Sequence, residues 1–133
     1  MYTNADVTIY NRYLDITTRL DKYRRTVVKN VFFDEKKASN RLKSGLESAA
    51  HVLLLIPFDY TSKAKFVSEK EFKGLDNTFT LKTGDKVIKG NIEYEIDRKP
   101  SELDELYETF TITSVDSKNF GSSHMRHWEV GAK

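Results

Sequence analysis

From Thr109 to Val130 apolar and polar residues alternate with a period of two on either side of a polar loop, and that pattern admits few folds. Phe110 and Ile112 face one way while Thr109, Thr111 and Thr113 face the other, the signature of a half-buried strand. The loop from Asp116 to Ser123 is too long for a two-residue hairpin turn and is built from residues that tolerate turn geometry. A second arm, His124 to Val130, sets Arg126, Trp128 and Val130 against Met125, His127 and Glu129, with the single tryptophan as core anchor. A lone hairpin is marginal in water, so the rest of the chain must supply strands or a helix to cover it.

Upstream, the same kind of pattern recurs. Val7, Ile9 and Asn11 alternate with Thr8, Tyr10 and Arg12, predicting a first strand of mixed, edge-facing character. Leu14 to Leu20 reads as a turn, and Lys22 to Phe33, without Gly or Pro, as a longer strand with apolar residues on both faces at its end. Residues 34 to 48 then break the pattern as a long polar loop. His51 to Phe58 is a continuous apolar run fit for a central strand buried on both faces. Asp59 to Asn77 reads as a polar connection holding Phe66, Phe72 and Leu75, with room for a helical turn or a short strand.

Phe79 and Leu81 alternate with threonines before a turn at Thr83, Gly84 and Asp85, and Val87 and Ile88 follow. Ile92, Tyr94 and Ile96, alternating with Glu93, Glu95 and Asp97, give the cleanest period of two in the chain. Pro100 stops that strand, and Ser101 with Asp104 predicts a capping box opening a short helix from Glu102 to Glu108, with Leu103, Leu106 and Tyr107 as its buried stripe. The expected fold is mainly all-β: one domain over residues 1–133, a small barrel or sandwich of six to seven strands with one short helix and a long polar loop.

A chain of 133 residues, 38% apolar and 32% charged, can bury a core of about two layers. It has no cysteine, which excludes disulfides and thiolate metal sites and fits assembly inside a cell. The longest apolar run is too short to span a bilayer, and no signal-peptide layout opens the chain, so neither a membrane nor export by the usual route is expected. Charge is uneven along the chain: residues 1–48 carry ten Lys and Arg against six Asp and Glu, whereas residues 91–133 carry five against nine. Solvated surface is the common reason for such asymmetry; complementary faces of a self-assembling subunit are the other.

Enzymatic constellations are not evident, and no cofactor is expected. The glycines match neither a P-loop nor a dinucleotide fingerprint. His124 and His127 fall on opposite faces of a strand, which argues against a metal site. Asp116, Ser122, Ser123 and His124 supply hydrolase residue types but crowd one loop without a nucleophile elbow. The basic run Arg19, Lys22, Arg24, Arg25 and Lys29, with Tyr23 interleaved and extended by Lys36, Lys37, Arg41 and Lys43, carries more weight as a phosphate-facing surface of the kind an OB-type nucleic-acid module presents, while Val27, Val31 and Phe33 give the same segment an ordinary structural reason to exist.

The succession VTIYN, YRRTVVKNVFF, HVLLLIP, LKTGDKVIKG, a short acidic helix, FTITSVD and HMRHWEV resembles the head-tail joining proteins of long-tailed bacteriophages and prophages. These are also described as connector, adaptor, stopper or minor structural (minor capsid) proteins. The family's segments correspond here to Gly84–Val87, Phe110–Asp116 and Trp128–Val130, and the chain departs from it between Asp97 and Glu108. The resemblance implies a non-enzymatic β-barrel subunit of the virion, assembled in the host bacterial cytoplasm. It would form a homo-oligomeric ring in the neck, between portal or adaptor and tail proteins, and join head to tail or close the DNA channel. Charge then suggests subunit contacts of Arg24, Arg25 and Lys29 with Glu93, Glu95 and Asp97. It also suggests a channel loop whose Lys36, Lys37, Arg41 and Lys43 touch DNA phosphate without reading sequence. The alternative is a stand-alone OB-like nucleic-acid-binding module.

Overall fold

A computed structural model describes residues 3–36, 51–96, 99–121 and 125–133. Six strands form a closed, wholly antiparallel barrel in the order β1 (Ala5–Leu14), β2 (Asp21–Lys36), β3 (His51–Pro57), β8 (His127–Ala132), β7 (Phe110–Lys118) and β6 (Lys86–Lys89). Pairing of β6 with β7 and β1 closes the ring and leaves β1 paired on both sides, so the expected edge character of the first strand does not hold. Closure removes free sheet edges over most of the circumference. Two residues each from β4 (Lys65–Phe66) and β5 (Thr78–Phe79) pair in parallel as a small separate sheet.

The interior is set by alternation. Val7 and Ile9 of β1, Val28 of β2, and Val52, Leu54 and Ile56 of β3 point inward and are buried. Each such aliphatic side chain contributes about 1.5–3 kcal/mol relative to exposure. The outer face of β3 is only half-buried at Leu53 and Leu55, so the run read as buried on both faces is buried on one. Trp128 is also half-buried. It packs against Phe58, Tyr60 and Phe66, at 4.3 Å from the Phe66 ring centroid, and closes the core from one side.

The 16-residue strand β2 changes neighbours along its length. Up to Val31 it pairs with β1; from Phe32 it pairs with β3. The change falls at a bulge, where Ala5 lies opposite Val31 but Val7 opposite Val28, and Asn30 takes a positive φ of 60°. Asparagine tolerates that left-handed conformation better than the valines around it would. The strand runs on through Asp34, Glu35 and Lys36, opposite Leu53, Val52 and His51, so the first three residues of the loop expected over 34–48 are strand, and the rest of that stretch lies outside the described residues.

Two further expectations are corrected. Residues 91–96 form no strand despite their alternation. Their backbone is held by side chains: Ile92 N–H donates to Thr8 Oγ1 (2.9 Å), Arg25 Nη1 donates to Ile92 O (3.0 Å) and the Tyr10 hydroxyl to Tyr94 O (2.6 Å). This strap covers the outer face of β1, where Tyr10, Ile88 and Leu103 form a second small core under Ile92, Tyr94 and Ile96. The helix α1 spans Ser101–Leu106 with Pro100 as N-cap and no side-chain cap, so the capping box does not form. Glu102 instead accepts the Lys99 N–H (2.8 Å), and of the expected stripe Leu103 alone is fully buried while Leu106 is exposed.

Candidate functional site

An open cleft of about 1040 Å³ lies beside β2. One wall is the β2 stretch Arg24 to Val27; Thr61–Ala64 and Asp76–Asn77 form another, and Asn91 and Glu93 a third. The second edge of β2 faces it. Lys29 N–H donates to Thr61 O (2.7 Å) and the Ser62 hydroxyl to Val27 O (2.7 Å), so the chain after β3 touches this edge at one end and then turns away.

Cations dominate the cleft, and two of them are committed. Arg24 donates to Gly74 O through Nε (3.1 Å) and Nη2 (2.7 Å), pairs with Asp76 (2.8 Å) and lies over the Tyr13 ring. Gly74 packs so closely on that ring, at a φ of 78°, that a Cβ there would overlap it. Arg25 pairs with Glu95 (2.5 Å) in addition to its bond to Ile92 O. The Arg25–Glu95 pairing that charge suggested between subunits is thus present within one chain. Lys29 and Lys63 are exposed and make no side-chain hydrogen bond or ion pair among the described residues. Glu93 is exposed on the cleft wall, and Asp97 lies outside the described residues.

A buried polar centre sits next to the barrel interior. Asn11, in phase with Val7 and Ile9, points inward and is fully buried. Its Nδ2 donates to Thr80 O and to Asp85 Oδ2, both at 2.8 Å, and its Oδ1 accepts Thr80 N–H (3.2 Å). Arg12 N–H donates to Asp85 Oδ1 (3.2 Å), while the Asp85 backbone carbonyl accepts Ile112 N–H. Burial pushes the Asp85 carboxyl up to about 6, against the opposing pull of the Asn11 amide and of Lys82. Asp85 thereby ties β1, the turn before β6 and β7 together. Nearby, Tyr10, Arg12, Tyr23 and Lys82 help line a smaller hollow of about 240 Å³.

The third feature is apolar. In an antiparallel succession β1–β2–β3–β8–β7, strands β1 and β7 run the same way, so the β1–β2 and β7–β8 hairpins turn at the same end of the barrel. The first turn exposes Leu14, Ile16 (85% exposed) and Leu20; the second exposes Phe120 and Met125.

Of the expected channel cations, Lys36 ends β2 opposite His51, and Lys37, Arg41 and Lys43 lie outside the described residues. So do Ser122, Ser123 and His124. Asp116 is exposed on β7, and the His127 ring lies 2.7 Å from Met125 O. Among the described residues no three His, Asp or Glu side chains gather as a metal site, and no helix is long and apolar enough to cross a membrane. The Asn11–Asp85 pair was missed in the sequence, where Asp85 reads as a turn residue. The available signal was Asn11 itself, a polar residue in phase with an apolar face.

Residues 2–133 match the model of a family of unknown function, DUF6751. The chain belongs to that family. No curated protein matches it, and no solved structure does. Membership of DUF6751 therefore carries no activity to set beside the barrel, the cleft or the apolar hairpin end.

Proposed function

We propose that this chain is a structural subunit of the neck of a long-tailed phage or prophage particle. Copies assemble as a ring that joins head to tail or closes the DNA channel. The order of elements that resembles head-tail joining proteins supports this reading. The observation that carries it is the hairpin end of the barrel, where Leu14, Ile16, Leu20, Phe120 and Met125 stand in solvent. Large apolar side chains gathered on one end favour docking over life as a free monomer. A ring needs a heterologous contact, and two unlike hairpins offer the unlike surfaces that such a contact joins.

Two measurements test it. Light scattering across concentration should show association that Leu14→Ser, Ile16→Ser and Leu20→Ser together abolish, with the melting transition of the monomer kept. Antibody labelling of particles from the strain that encodes the chain should mark the head-tail junction; label on the capsid shell or tail tip would overturn the assignment. The second reading, an OB-like nucleic-acid module, draws on Lys29 and Lys63 in the cleft. A monomer binding single-stranded DNA with steep salt dependence would favour it.

A further inference from the structure

We propose that the cleft beside β2 accepts an extended polypeptide segment with acidic side chains, added as a strand to the free edge of β2 at Tyr23 and Arg25. Alternate residues of a strand send their N–H and C=O groups to opposite edges. Val27 O and Lys29 N–H point away from β1, toward Ser62 and Thr61. By the same alternation Tyr23 and Arg25 direct theirs to that same edge, Arg25 within the cleft and Tyr23 just beyond the residues that line it. Arg12 agrees from the other side of the pair, its N–H pointing away from β2 to Asp85. Strand β3 joins β2 only from Phe32 onward, so among the described residues no strand pairs with β2 at Tyr23 and Arg25 on the cleft side.

The chain itself begins such a partner strand and abandons it. Thr61 makes one antiparallel bridge with Lys29, after which Ala64 turns into the core. An incoming segment would continue that line toward Arg25. Open edges serve as templates for pairing, and exposed lysines on them commonly block neutral or apolar strands. Lys29 and Lys63 fit that blocking role, yet the same two charges complement a strand that carries carboxylates. Arg24 and Arg25, fixed by their own partners, stiffen the cleft wall between them.

The test uses the whole isotope-labelled chain and a short capped peptide alternating threonine and glutamate. Expected are amide shifts at Tyr23, Arg25 and Val27 and hydrogen exchange slowed by about tenfold or more at Tyr23 and Arg25. Affinity should fall by about tenfold for a threonine–lysine peptide, and as much for the Lys29→Glu, Lys63→Glu variant. Methylating the probe's alternate backbone nitrogens should abolish the protection. Three results would overturn the proposal. One is no protection at millimolar peptide. Another is tighter binding of oligothymidylate at the same amides. The third is concentration-dependent protection of those amides in the protein alone, which would give the edge to a second copy.

Discussion

At the scale of single residues, Asp85 is the group with the most to lose. Its carboxyl is raised from 3.8 to about 6 by burial, so the folded protein binds a proton there that the unfolded chain has released. Between about pH 4 and pH 6 the native state therefore holds more protons, and stability falls as pH rises through that window. The rise in the Asp85 pKa corresponds to roughly 3 kcal/mol of stability, present in full below about pH 4 and lost above about pH 6. Denaturant midpoints of the native chain, compared with Asp85→Asn, should show this slope only in the former; parallel profiles would refute it. Asn11 is what makes the ionised form tolerable, because Thr80 fixes its amide with the donor facing Asp85. Its place on the apolar face was legible in the alternation with Val7 and Ile9. Its partner was not, since the pair lies 74 residues apart in sequence.

At the scale of elements, the strap of residues 91–96 shows what periodicity leaves open. The alternation of Ile92, Tyr94 and Ile96 does mark one apolar face, and that face is in use over β1. Whether such a segment is a strand depends on what receives its backbone, and here Thr8, Tyr10 and Arg25 side chains receive or supply those bonds in place of a ladder. Leu103 anchors the layer from the helix and is wholly buried. Leu103→Ala should cost about 2–5 kcal/mol by leaving a cavity beneath the strap. Chemical denaturation checks the loss; a change under about 1 kcal/mol would mean that the layer collapses freely.

At the scale of the whole molecule, closure is the decisive event. A barrel and a sandwich share the same strands, and the pairing that separates them joins Val7 to Lys89, a contact no local pattern encodes. Strand content was legible for that reason, and ring closure was not. Strand β8 is hydrogen-bonded to β3 on one side and β7 on the other and buries Val130 and Ala132. Deleting residues 127–133 would open the wall and leave two raw edges, so that variant should show no cooperative thermal transition by circular dichroism.

The two hairpins give the barrel a direction. One end presents aliphatic and aromatic tips; at the other, β2 finishes through Asp34, Glu35 and Lys36 opposite β3. A body with unlike ends is a vector. Any assembly that docks it by the apolar end fixes which way it points, and each added copy inherits that orientation without a separate device to set it.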